Sequence, residues 1–325
     1  MVGGINLKIQ HVVYLHIEMN KNSVIAIFGS GGLAGGAITR QFINRRHKLL
    51  LPRSKDLDLR EQSDVRAWFK TNKVDYVILA AALVGGIMAN KTRKAEFLHD
   101  NLMMQCNVID SSYYSGVKKL LFLGTSCIYP AGRQHPLKEN ELLTGALEPT
   151  NDAYAIAKIA GIKQCDFYRE QYGFDAISIM PPNLYGPGDN FHEGSGHVLA
   201  SLMNRFHNAK VAGEATVTCW GDGTPMREFL FAEDLAEATV FFMDNYSDYG
   251  HVNVGTGEDI TIKHLAESIA KVVGFTGKIL WDTEKPNGNP RKLLDSTRAN
   301  ELGWSPKINF EYGLQQTYEW YLQHV

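Results

Sequence analysis

VIAIFGSGGLAGGAITRQFINRR, residues 24–46, opens on five apolar residues that run straight into a glycine-rich turn. A short apolar run closed by glycines reads as a buried strand. After the turn, Ile38 and Phe42 stand four apart within residues 34–46, the spacing of one helical face. Strand, turn and helix in that order make the first unit of a parallel sheet. Gly29, Gly32 and Gly35 punctuate the turn as GxxGxxG. Glycine there suits a tight turn, a close approach of backbone to a pyrophosphate, and a helix packed near a strand. The helix N-terminus that follows offers an anion free N–H groups and partial positive charge. Such turns also arise for steric reasons alone, so the motif draws its meaning from the strand-turn-helix context.

Outward from this unit the pattern repeats. Residues 48–51 read as a strand, Val65, Trp68 and Phe69 as a helical stripe, and 76–80 as a further strand. A helix over 101–115, a strand over 119–124, a helix over 154–172 and a strand over 175–180 continue the alternation. The fold class this predicts is α/β: a Rossmann-type doubly wound parallel sheet with a smaller C-terminal α/β substrate lobe. Beyond Pro181 the rhythm breaks at NLYGPGDNFHEGSG and KPNGNPRK. The expected division is therefore a nucleotide-binding domain over 19–184, a mainly substrate-binding lobe over 185–325, and a segment near 228–256 that returns to the sheet. Residues 1–18 stand apart from the pattern as an N-terminal extension with no role assigned.

Composition narrows the function classes. Among 325 residues, 33 Lys plus Arg nearly balance 35 Asp plus Glu, so no broad positive field favours nucleic acid. The four cysteines, Cys106, Cys127, Cys165 and Cys219, have no CxxC spacing, which argues against a zinc site or a disulfide scaffold and for a reducing cytoplasm. The early apolar run at 12–17 is too short to span a membrane. A soluble enzyme of a small anionic ligand, with no metal and no membrane or nucleic-acid partner, is the expectation.

The second strand ends in Pro52, Arg53, Ser54 and Lys55. An NAD site usually carries an acidic residue there; two cations favour the 2′-phosphate of NADP(H), against the plainer reading of a solvated surface pair. Tyr154 and Lys158 stand four apart in YAIAK and share a helical face. Free tyrosine, with a pKa of about 10, shuttles protons poorly near neutrality, and a neighbouring ammonium stabilises its phenolate. Thr125, closing the preceding strand, adds a hydroxyl for a substrate carbonyl.

LAAALVGGIMAN, FLGTSCIYP, LEPTNDAYAIAKIAGIK, MPPNLYGPGDNFH, WGDGTPMREFL, NVGTG and PRKLLD together resemble the extended short-chain dehydrogenase/reductases, and within them the GDP-L-fucose synthases, the GDP-4-keto-6-deoxymannose epimerase/reductases. The resemblance covers nearly the whole chain from Ser23. It implies a triad of Thr125, Tyr154 and Lys158, with threonine where serine is usual, and an epimerase acid/base pair of Cys127 and His197. It places the cofactor along Gly29, Gly32, Leu33, Ala34 and Gly35, Arg53 and Lys55, Ala81 and Ala82, Leu123 and Gly124, Tyr154 and Lys158, and Pro181, Asn183, Leu184 and His197. Arg205, Trp220, Arg227, Asn287 and Lys292 are the implied substrate contacts, and a homodimer is implied as well. Gly31 stands where the family commonly has a basic residue, and Asn287 where it has aspartate.

The chemistry this implies is 3,5-epimerisation and 4-reduction of GDP-4-keto-6-deoxy-D-mannose with NADPH. A C4 ketone acidifies the hydrogens at C3 and C5, and inversion needs a base on one face and an acid on the other. A thiol and an imidazole both exchange protons near neutrality. Three other readings compete. A GDP-L-colitose synthase would need similar residues; a 4-epimerase with bound NAD would need no Cys/His pair; a non-catalytic NADPH sensor would not need the full Thr-Tyr-Lys set.

Overall fold

The computed structural model describes Met19 and residues 22–192, 196–285 and 287–325; the 1–18 extension lies outside the described residues. Elements follow the expected alternation. β1 (Val24–Phe28), α1 (Leu33–Asn44), β2 (Lys48–Leu50), α2 (Gln62–Thr71) and β3 (Tyr76–Leu79) come first. α3 (Ile87–Thr92), α4 (Lys94–Tyr114), β4 (Lys119–Leu123), α5 (Asp152–Tyr172) and β5 (Asp175–Met180) complete the first half. α4 begins seven residues before the expected 101; its buried face mixes Phe97, Val108 and Ile109 with Asn101, Gln105, Asn107 and Ser111, so no clean apolar stripe marks its start.

The chain continues with β6 (Asn183–Tyr185), α6 (Val198–Ala212), β7 (Thr216–Trp220), β8 (Met226–Phe231), α7 (Ala232–Asn245) and β9 (His251–Asn253). β10 (Asp259–Thr261), α8 (Ile262–Val273), β11 (Lys278–Asp282), β12 (Arg291–Lys292), α9 (Thr297–Glu301) and α10 (Phe310–His324) close it.

Six parallel strands run in the order β2-β1-β3-β4-β5-β9. Alternate residues leave opposite faces, as the pleat requires. Ile25, Ile27, Ile78, Leu121 and Ile179 pack with Ile38 and Phe42 of α1 and Leu235 and Phe242 of α7. Ala26, Phe28, Val77, Leu79 and Phe122 pack with Phe69 of α2, Val108 of α4 and Ile162 of α5. Ile38 and Phe42 are fully buried, and each such side chain contributes roughly 1.5–3 kcal/mol by leaving water. The strand order reverses between β1 and β3, which opens a crevice at their C-terminal ends where ligands of this architecture bind.

The segment near 228–256 divides between two sheets. β8 does not enter the six-stranded sheet; it pairs with β6, β10 and β12. α7 and β9 do return to the main layer. The sequence pattern cannot separate these two destinations, because a buried strand reads the same in either sheet. Lys119 fastens the return: its ammonium donates to the carbonyls of Phe242 at 3.1 Å and Met243 at 2.8 Å, and to that of Tyr246. A cation at a helix C-terminus meets the negative end of the dipole, although burial holds Lys119 down to about 8. A third core, with Leu202, Phe206, Val217, Phe229, Leu265 and Leu314, supports the second sheet.

Candidate active site

The crevice is a cleft of about 1130 Å³ that collects residues from both sheets. Each sequence-predicted site residue lines it except Lys55, which is exposed and is not among the lining residues. A separate groove of about 810 Å³ beside α2 and α4, lined by Arg66, Phe69, Asp110 and Tyr114, holds none of the predicted residues.

At the β1 end the glycines do different work. Gly29 has φ +88°, and a Cβ there would meet Ala81 N at 2.5 Å. A Cβ on Gly35 would meet Gly29 O at 2.1 Å, so helix and turn touch backbone to backbone. Gly32 is different: its nearest atom would be Gly29 O at 3.7 Å, so its open side is available to a ligand. α1 starts with no side-chain cap and no acidic residue in its first turn, which leaves its N-terminal field for an anion. The buried Ser30 Oγ in the same turn has no partner among the described residues. Arg53 completes this end, for a Cβ on Gly31 would lie 2.4 Å from its Nη1. The residues present thus fit a dinucleotide: a bare helix terminus, a backbone opening and one guanidinium beside the turn. Lys55 contributes nothing to that fit.

Deeper in, the first turn of α5 carries Tyr154 and, one turn on, Lys158. Lys158 is buried, donates to Leu123 O at 2.8 Å and lies 5.9 Å from the Tyr154 ring centre. Burial pushes Lys158 down to about 7. Tyr154 is pushed above the ordinary phenol value, first by burial and then by the field of Cys127. The expected depression of the phenol by its lysine is therefore absent, because desolvation outweighs a cation turned towards a carbonyl. Tyr154 is held as the neutral phenol, which is the proton-donating form. Thr125 caps the short turn Ser126–Ile128, its oxygen accepting from Cys127 N at 3.4 Å.

Cys127 sits on that turn with two donors on its sulfur, Asn151 Nδ2 at 3.2 Å and Lys292 Nζ at 3.5 Å. His197 lies just before α6, with Nδ1 3.9 Å from Asp189 Oδ1. Asp189 raises His197 above the ordinary imidazole value, against burial. Asn151 and Asp189 were not singled out from sequence, although both lie inside the quoted motifs LEPTNDAYAIAKIAGIK and MPPNLYGPGDNFH.

The substrate end is lined with cations. Arg227 on β8 and Lys292 on β12 are register partners in a parallel pair, so two like charges from positions 65 apart share one face. Like charges in that relation are destabilising, an arrangement suited to an anion lying between them. Burial lowers Arg227. Arg205 on α6 donates to Thr218 O at 2.8 Å. Trp220 is 54% exposed, with the Lys285 ammonium 5.9 Å from its ring centre, so a flat ligand could pack on the indole. Asn287 Oδ1 accepts from Asp222 N at 2.9 Å and so shapes the turn beside Trp220, a task its amide carbonyl performs as well as a carboxylate. Among the described residues no group of His, Cys, Asp and Glu could hold a metal ion, and no helix is long and apolar enough to cross a membrane.

Residues 25–255 match the NAD dependent epimerase/dehydratase family. GDP-L-fucose synthase 1 of Arabidopsis thaliana is 55% identical, over 94% of this chain and 95% of that one. GDP-L-fucose synthase of Escherichia coli (strain K12) is 48% identical, over 94% and 98%. The crystal structure of a GDP-L-fucose synthetase from Naegleria fowleri bound to NADP superposes with a TM-score of 0.86 at 29% identity, covering 94% of this chain and 96% of that one. The family model spans most of the chain and the relatives match it nearly end to end, so the chain belongs to the NAD dependent epimerase/dehydratase family, within its GDP-L-fucose synthase group.

Proposed function

We propose that the chain converts GDP-4-keto-6-deoxy-D-mannose to GDP-L-fucose by 3,5-epimerisation and NADPH-dependent 4-reduction. The observation that carries this reading is that one cleft gathers Tyr154 and Lys158 together with Cys127 and His197, two proton-transfer groups from separate elements. A simple reductase has no use for the second pair.

Arg227, Lys292 and Arg205 hold the diphosphate as charge-assisted donors, and Trp220 packs on the base or the sugar. The C4 ketone then lies by the Tyr154 and Thr125 hydroxyls, which stabilise the enolate oxygen. Cys127 takes the C3 or C5 proton as thiolate, and the electron pair moves onto the C4 oxygen. Collapse of the enolate takes a proton from His197 on the opposite face, which inverts the carbon. Cys127 is left as thiol and His197 neutral, and both return to their starting states by exchange with solvent. NADPH, when bound, supplies the hydride that C4 receives. Tyr154, held neutral by burial, gives its proton to the C4 oxygen, and Lys158 stabilises the phenolate that remains. Arg53 beside Gly31 favours the phosphorylated cofactor over NAD(H). The implied homodimer has an apolar face available on α4 and α5, where Tyr114, Ile156, Phe167 and Tyr172 are exposed. Four free cysteines suit the cytoplasm.

The test mixes the purified chain with GDP-4-keto-6-deoxy-D-mannose and NADPH, follows loss of nicotinamide absorbance, and identifies the sugar by NMR. Oxidation of NADPH with a GDP-L-fucose product is expected. An uninverted 6-deoxy product would remove the roles of Cys127 and His197, and turnover only with the 3-deoxy sugar would move the chain to colitose synthesis.

A further inference from the structure

The two proton-transfer groups each face a partner of opposite sign, and the partners come from separate elements. Asn151 stands at the N-cap of α5 yet makes no capping hydrogen bond. An asparagine there ordinarily accepts from the first turn of its helix, worth about 1 kcal/mol. Here the amide is instead turned to the Cys127 sulfur at 3.2 Å, and its buried Oδ1 has no partner among the described residues. Lys292 brings a second donor to the same sulfur at 3.5 Å, from beside Arg227 on β12. Thiols accept hydrogen bonds weakly; two nitrogen donors, one of them cationic, converging on one sulfur match a thiolate. Across the cleft, Asp189 is 3% exposed, lies 3.9 Å from the His197 ring, and keeps one carboxylate oxygen buried without a partner among the described residues.

We infer that Asn151 and Lys292 on one side, and Asp189 on the other, are positioning residues that hold Cys127 as thiolate and His197 as imidazolium before substrate enters. The inference rests on the proposed epimerase reading and adds to it what sets the direction of proton flow. Lys292 then acts on the chemistry of Cys127 as well as on the anionic substrate. Around Cys127, Arg227 reinforces Lys292, while Tyr154 is coupled to the sulfur and Glu148 to Arg227. Around His197, Asp189 acts against burial, and Arg205 stands about two turns along α6.

The test needs no sugar nucleotide, so its outcome stays separate from that of the turnover assay. Full-length protein is alkylated with iodoacetamide across a pH series, and each cysteine is followed by peptide mass spectrometry, with exposed Cys106 as internal reference. Cys127 is expected to titrate below the ordinary thiol value of about 8.5 and below Cys106. Lys292→Met and Asn151→Ala should each raise its midpoint by about one pH unit, and Lys292→Arg should restore it. Asp189→Asn should lower the His197 midpoint followed by NMR. Cys106 itself is raised by burial and Asp110, so a Cys127 midpoint at or above the ordinary thiol value of about 8.5 in the unaltered protein overturns the inference. So does a Lys292→Met variant in which the Cys127 titration stays fixed, which would leave Lys292 a substrate contact alone.

Discussion

The two ends of the cleft are built from different materials. At the β1 end the chain presents backbone: a turn in which Gly29 and Gly35 lie within van der Waals reach of neighbouring main chain, followed by an uncapped helix. At the β8 end it presents side chains, Arg227 and Lys292, carried by short strands that reach one another across a long gap in sequence. Shape makes the first end, and any added atom is felt as a collision. Charge makes the second, and it depends on what anchors the strands. Glu228 is that anchor: fully buried, it accepts from Leu294 N at 2.8 Å and Gly257 N at 2.9 Å, and so ties β8 to the segment that carries Lys292.

The comparison breaks first, and hardest, at glycine. Gly35→Ala places a methyl 2.1 Å from a backbone oxygen, and no side chain can yield. We expect a loss of about 4 kcal/mol in stability and no NADPH binding, read by thermal melting and fluorescence titration. Gly32→Ala, with 3.7 Å of clearance, should keep the melting temperature and weaken NADPH alone. Equal melting losses in the two variants would mean that the turn is not built as described. The next effect lies at the other end. Burial raises Glu228 to about 7, so the folded chain binds this proton more tightly than the unfolded one. Between pH 4.5 and 7 this group alone binds fewer protons in the unfolded state, a contribution of roughly 3 kcal/mol that is lost as pH rises; His251, which burial lowers from 6.5 to about 4, acts with the opposite sign over most of the same window. Glu228→Gln cannot ionise and should remove that contribution, so that stability in melting curves climbs with pH through this window under His251, opposed by Glu139 and Asp234, which burial raises. An unchanged slope would remove Glu228 as the ionising anchor.

The same contrast explains what could be read from sequence. The β1 end is contiguous: strand, glycines and helix fall within 23 residues, so periodicity and spacing reveal both fold and cofactor turn. Tyr154 and Lys158 are legible for the same reason, being four apart on one helix. The charged end is assembled by pairings that no local pattern announces. Nothing in MREFL or PRKLLD says that Arg227 will sit beside Lys292, or that β8 will leave the main sheet. Their place came from resemblance. Asn151 and Asp189 were hidden more deeply, since an N-cap asparagine and a loop aspartate have ordinary local duties, and only the distances to Cys127 and His197 show them facing elsewhere.

Arg53 tests whether the ends are as distinct as this, for it is a charge at the end otherwise built from shape. Its guanidinium tip lies where a side chain at position 31 would begin, but it is the far end of an exposed side chain and can swing aside. Arg53→Ala should leave melting unchanged, because the residue is exposed. It should weaken NADPH by roughly tenfold or somewhat more, the worth of a charged hydrogen bond, while binding of NADH stays as it was. Lys55→Ala, outside the cleft, should change neither. Restoring a cation by Gly31→Arg should recover NADPH preference in the Arg53→Ala background, and beside wild-type Arg53 it should leave melting unchanged as that side chain moves aside. If Gly31→Arg leaves NADPH binding weak in the Arg53→Ala background, position 31 does not reach the 2′-phosphate, and the charge at this end is carried by Arg53 alone.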